Sequence, residues 1–181
     1  MKKKIDSYEL LIGKLQQYKD YPVCLSVKRY LPFSILTNFG AKVRGYEPFS
    51  HTAYLYYENK VWWVVDSTMF KNYKKTCLWD YSFANKKRGK CILHIIPHKK
   101  QQKENFDWDI KYSIKKAILS WFKQDRNKDR QNSTYCTDFF LDTAEKSCKK
   151  QLVDNNSSYT PSSLVKTFRT REYKEILIYD N

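Results

Sequence analysis

Three side chains of this sequence could together run nucleophilic chemistry: the thiol of Cys136, the imidazole of His51 and the carboxylate of Asp66. A cysteine sulfur attacks a carbonyl carbon when a neighbouring imidazole takes its proton, and the imidazolium then protonates the leaving group. A carboxylate on the far ring nitrogen fixes the tautomer and supports the imidazolium. Such triads are recognised by geometry and role, and their order along the chain differs between folds. Here the order is His, Asp, Cys. Cys136 is expected in the first turn of a helix, where free N–H groups and the positive end of the macrodipole favour thiolate over thiol. Its own backbone N–H would be one oxyanion-hole donor, with Tyr135 as a helper.

Two elements must position these groups. Residues 51–57 and 61–66 are β-rich runs separated by the polar turn Glu58-Asn59-Lys60, and they should pair antiparallel. Side chains alternate along a strand, so His51 shares a face with Ala53, Leu55 and Tyr57, and Asp66 shares one with Val64 and Trp62. The start of the first strand lies beside the end of the second, which makes His51 and Asp66 neighbours. The thiol comes from a helix expected from Cys136 to about Lys149, with Thr134 as its cap. Cys136 also continues the stripe Phe140, Ala144 and Cys148, so a purely structural core cysteine fits the same periodicity.

The remaining pattern supplies a frame. Ile5, Tyr8, Leu11, Leu15 and Tyr18 recur three and four apart and predict an amphipathic helix over 5–19. Strands are expected at 21–27, 90–96 and 175–180, a short helix or turn at 31–39, and a loop from Gly40 to Pro48. Another loop should hold Trp79 and Tyr81. Asp107 is placed as the cap of a helix running to about Phe122, followed by an exposed polar loop over 123–132. Pro161 is expected to open a single helical turn. His94 and His98 lie four apart, but the β-branched run ending in Pro97 reads as a strand, which does not align them as helical metal ligands.

The segment Phe49-Ser50-His51-Thr52-Ala53-Tyr54-Leu55-Tyr56, followed by Val61-Trp62-Trp63-Val64-Val65-Asp66-Ser67, resembles the SHxxI…(Y/V)xxE(A/S) hairpin of the circularly permuted NlpC-like branch of papain-fold thiol enzymes. Tyr135-Cys136-Thr137-Asp138-Phe139-Phe140 is similar to that branch's YCSELV element, and Tyr159-Thr160-Pro161-Ser162-Ser163-Leu164 to its xTPxDL segment. Asp66 stands where the pattern often has Glu. The resemblance implies an α+β, papain-like permuted fold with a central antiparallel sheet of about four to six strands flanked by helices. It covers roughly residues 21 to 180 and implies one catalytic domain over 21–181, behind the N-terminal amphipathic helix of the 1–20 segment that the apolar spacing predicts. It also implies Cys136, His51 and a polar third residue in a cleft, acting on amides or esters as in cell-wall peptidases, lipid acyltransferases and related amidases.

Composition narrows the rest. With 181 residues, 41% hydrophobic and 17% aromatic, the chain suits a single folded domain. Its 34 Lys and Arg against 19 Asp and Glu give a formal charge of +15, which favours anionic partners. Lys42 and Arg44 just before the hairpin, with Ser50, are the expected substrate-binding residues for a peptide or acyl substrate with an anionic part. The five cysteines, Cys24, Cys77, Cys91, Cys136 and Cys148, hold no CxxC pair and read as reduced thiols, with no metal site and no cofactor expected. Polar residues interrupt any signal-peptide core behind the basic start, and no run approaches the roughly 20 apolar residues of a membrane span. A cytoplasmic or virion-associated phage or bacterial protein is the expectation. Two further readings stay open: an inactive papain-like binding or structural module, virion- or nucleic-acid-associated, and an acyl-protein or ubiquitin-like deconjugase.

Overall fold

Alternating apolar residues fold the middle of the chain back on itself. In a computed structural model, β2 (His51–Glu58) and β3 (Val61–Asp66) pair antiparallel, with Tyr54 across from Val65 and Glu58 across from Val61. Asn59 and Lys60 make the turn, both at positive φ (51° and 64°), the mirror-image conformation that matches the twist of a tight hairpin. The structure describes residues 7–29, 32–67, 73–82, 88–104, 106, 111–119, 133–154 and 157–180.

The hairpin is the middle of a sheet completed by β1 (Val23–Arg29), β4 (Lys74–Cys77), β5 (Arg88–Ile95) and β8 (Lys174–Asp180). Its order is β4-β3-β2-β1-β5-β8, and every neighbouring pair is antiparallel. The molecule is therefore α+β, with a six-stranded antiparallel sheet between helices, as expected.

Strand alternation divides the apolar residues between two faces. Val23, Leu25, Val27, Ala53, Leu55, Trp62 and Val64 meet Leu11 and Leu15 of α1 (Tyr8–Leu15), and Leu78 and Tyr81 of α3 (Leu78–Ser82). On the other face Cys24, Tyr54, Tyr56 and Val65 meet Phe139, Phe140 and Ala144 of α5 (Cys136–Cys148), and Leu164 and Phe168 of α6 (Pro161–Thr170). Aromatic rings fill that second layer: Tyr54 lies 5.8 Å from Phe140, which is edge-on to Phe168 at 6.2 Å. Part of the high aromatic content thus packs α5 and α6 to the sheet, and part fills the opposite face around Trp62 and Tyr81.

Several boundaries differ from expectation. The helix after β1, α2 (Pro32–Val43), runs straight through Gly40. Its stop is Gly45, at φ 69°, where Gly45 and Tyr46 N–H groups return to the Lys42 and Ala41 carbonyls. Residues 40–43 therefore belong to a helix, and Lys42 sits on its last turn. Residues 78–82, expected as loop, form α3, and 74–77 add an edge strand. Where a helix from Asp107 is expected, Lys111–Tyr112 is a strand (β6) and the helix, α4, covers only Ile114–Leu119. Asp107 and the 123–132 loop lie outside the described residues. Thr134 does not cap α5: Ser133–Thr134 (β7) pairs parallel with β6, leaving Tyr135 as an N-cap with no side-chain bond. Pro161 opens ten helical residues instead of one turn, because Thr160 and Ser163 close a reciprocal capping box and Leu164, Val165 and Phe168 give the helix a buried stripe. Among the described residues no helix is long and apolar enough to cross a membrane.

Candidate active site

His51 begins β2 and Asp66 ends β3. Continuing the Tyr54↔Val65 register by one step sets Asp66 opposite Ala53 and diagonal to His51 on the same face. The side chains meet there, His51 Nε2 to Asp66 Oδ2 at 3.2 Å, with both residues buried. Nε2 is the ring nitrogen that faces the carboxylate, which fixes the orientation of the imidazole.

A residue not singled out from the sequence completes this pair. Val27 of β1 is paired with His51, so Arg29, two residues on, reaches the same corner. Its Nη2 donates to Asp66 Oδ2 at 3.2 Å and to the Tyr81 hydroxyl at 2.9 Å. Burial alone would raise the Asp66 carboxyl, but the hydrogen bond and charge of His51, followed by Arg29, outweigh it and hold the group below the usual carboxylate range. Burial likewise works against the Arg29 guanidinium, yet Tyr81, Asp66 and Cys136 raise it above its ordinary value. Asp66 is thus a fixed anion. Alternation with Leu25 and Val27 is the sequence signal for Arg29, which lies two residues beyond the strand expected at 21–27.

The thiol arrives from the other side of the sheet. Thr52, Tyr54 and Tyr56 face α5, and packing α5 there sets its first residue, Cys136, beside the backbone of Thr52, the residue next to His51. The nucleophile candidate and the His51–Asp66 pair therefore reach the same end of β2, and Arg29 senses the charge of both Asp66 and Cys136. Cys136 is 4% exposed. Burial dominates and pushes its thiol up, against the lowering contributions of the Thr52 backbone N–H, the Thr137 hydroxyl, Arg29 and the Thr137 backbone N–H. This corrects the expectation of a thiol poised toward thiolate: the helix start does help, but desolvation is larger. Tyr112 of β6 belongs to the same cluster, its hydroxyl pushed up by burial and by Cys136, with Arg29 opposing.

The other expected site residues disperse. Tyr135 is buried and donates its hydroxyl to the Tyr159 carbonyl at 2.9 Å, so it ties α5 to the segment before α6 and is not offered as an oxyanion donor. Ser50 accepts from the Arg29 backbone N–H at 2.9 Å and donates to the Val27 carbonyl at 3.4 Å, which binds the entry of β2 to β1. Lys42 is exposed on α2, and Arg44 lines a cavity against α6. The Cys136 backbone N–H, at the first turn of α5, stands where an oxyanion-hole donor is expected. His94 is buried in β5, 3.0 Å from Glu175, and His98 follows the strand.

Compared with models of known protein families the chain matches none, and no curated protein matches it.

Proposed function

We propose that the chain is a cysteine hydrolase or acyltransferase that carries an acyl group as a thioester on Cys136. The observation behind this reading is the buried His51–Asp66 pair, held by Arg29 at the end of β2 that α5 meets with Cys136. A buried histidine with a fixed carboxylate on one nitrogen is the arrangement a thiol needs from its base.

The raised thiol sets the order of events. The sulfur is protonated at neutral pH, so His51 takes its proton as the S–C bond forms, and the carbonyl π electrons move to oxygen. Collapse of the tetrahedral intermediate breaks the bond to nitrogen or oxygen, and the imidazolium protonates that leaving group. Water, or an acceptor amine or hydroxyl, then attacks the thioester with His51 again as base, and the thiol departs. Asp66 keeps one tautomer and one ring orientation throughout. Peptidase, acyltransferase and deconjugase share these steps and differ in the acyl donor and acceptor.

Iodoacetamide labelling resolved by peptide mass tests this reading. Exposure alone favours Cys77, which is more accessible than Cys24, Cys91, Cys136 and Cys148. Labelling of Cys136 ahead of Cys77 at neutral pH, suppressed in His51→Ala, is expected. Cys77 labelled first, with Cys136 indifferent to His51, would instead favour an inactive papain-like binding module, the reading that the burial and raised pKa of Cys136 support.

A further inference from the structure

The turn after α2 and the outer side of α6 enclose a cavity of about 350 Å³. That is within the range of small-molecule sites, about 300–1,000 Å³. Arg44, Lys166 and Arg171 line it together with Tyr46, Tyr159 and Thr170, and no Asp or Glu among the described residues does. Several other cations have carboxylate partners: Arg29 holds Asp66, Arg169 holds Glu175 and Glu47, and Lys90 holds Glu47. Among the described residues the three cavity cations have none. Two of them are held in place. Lys166 sits over the Tyr46 ring with Nζ 4.9 Å from its centroid, and Arg171 donates one Nη1 bond to the Leu152 carbonyl, leaving further donors of its fork unspent.

We propose that this cavity binds a small molecule bearing a phosphoryl group. Three cations on the lining of one cavity exceed what one carboxylate neutralises, whereas a phosphomonoester carries about −1.5 to −2 at neutral pH on three acceptor oxygens. Arginine forks match that geometry, and the Tyr46 and Tyr159 rings offer apolar surface to the organic part. Cavity and thiol site are linked through Tyr159, which lines the cavity and whose carbonyl accepts from the hydroxyl of Tyr135, the residue before Cys136; nearby, the Phe49 backbone N–H donates to the Ser162 hydroxyl, which donates back to the Phe49 carbonyl, 2.8 and 3.0 Å. The phosphoryl group is accordingly a recognition element of the substrate, a connection that rests on the thiol reading, while the binding itself does not.

Calorimetric titration of the full chain with sn-glycerol 3-phosphate and with inorganic phosphate, against glycerol, tests it at physiological salt. Saturable binding of glycerol 3-phosphate is expected, weakened about tenfold by Arg44→Gln or Lys166→Gln, the loss of a charge-assisted hydrogen bond. Lys14→Gln, on the exposed side of α1, controls for net charge, and Cys136→Ala should bind as the wild type does. Each variant is compared only where its thermal transition is retained; Arg44 and Lys166 report independently of the Arg171 anchor. Phosphate binding equal to glycerol 3-phosphate means that only the anion is read and the organic part is not. Non-saturable titration, equal weakening by Lys14→Gln, or a duplex DNA that binds with the same dependence on all three charges would overturn the proposal. Binding intact with Cys136 unreactive would remove the thiol reading and leave this site standing.

Discussion

Arg29 changes what Asp66 can do. A carboxylate with only His51 as partner could share its proton, but Oδ2 accepts from both His51 and Arg29 and is held as an anion. Removing it leaves the Arg29 guanidinium, 19% exposed, without its counter-charge. Asp66→Ala should therefore cost about 3–5 kcal/mol, the range for breaking a buried pair from one side, as measured by urea denaturation. The pH dependence has a definite sign. Asp66 is depressed in the fold, so its stabilisation is present above the unfolded carboxylate pKa and is lost as pH falls through its lower folded value. Glu47 adds in the same direction, because Lys90 and Arg169 outweigh its burial and lower it too. Denaturation midpoints should drop on acidification below the ordinary carboxylate range, and by less in Asp66→Ala. A midpoint insensitive to pH there would contradict the fixed anion.

Two elements carry the site, and both are sustained by local chemistry that can be altered. The hairpin depends on Asn59 and Lys60 in the left-handed region, and α5 ends on Lys149 in the same conformation, φ 51°, its N–H returning to the Glu145 and Lys146 carbonyls. Left-handed backbone costs a side chain about 1 kcal/mol relative to glycine, so Lys149→Gly should stabilise the protein by about that amount in thermal or chemical unfolding. The hairpin and the α5 start were legible because their signals are short-range: period-two alternation about a polar turn, and an apolar run behind Cys136. Thr134 misled because a two-residue pairing with Lys111–Tyr112 takes it into β7, a contact between segments far apart in sequence. The length of α6 was hidden by Lys166 and Arg169, which interrupt the apolar stripe yet face away from the core. Gly40 read as a loop because a helix tolerates glycine wherever packing repays it.

At the scale of the whole molecule the start of β2 is flanked by a different layer on each face of the sheet. Parity sends His51 toward the α1 side and Thr52, whose backbone lies beside Cys136, toward the α5 side, so the proposed base and nucleophile approach the start of β2 from opposite layers. Nothing in the sequence between positions 66 and 136 announces this; it follows from α5 covering β2, a tertiary choice made by Tyr54, Phe140 and Phe168. Alternation puts Arg29 on the face of Leu25 and Val27, but its pairing is a tertiary matter too, since its partners Asp66 and Tyr81 lie on β3 and α3. On the far side, Lys90, Glu47, Arg169 and Glu175 form a chain of ion pairs, with His94 3.0 Å from Glu175, that fastens β5, β8 and α6 to the segment entering β2. The most direct test of the thioester reading is the rate at which p-nitrophenyl acetate acylates Cys136, followed by p-nitrophenolate release and by intact mass. The wild type should acylate at Cys136 much faster than His51→Ala at neutral pH. That advantage should narrow as pH rises and the thiol, whose pKa burial has raised, ionises without help. Equal rates in the two proteins across the pH range, or acylation elsewhere than Cys136, would contradict it.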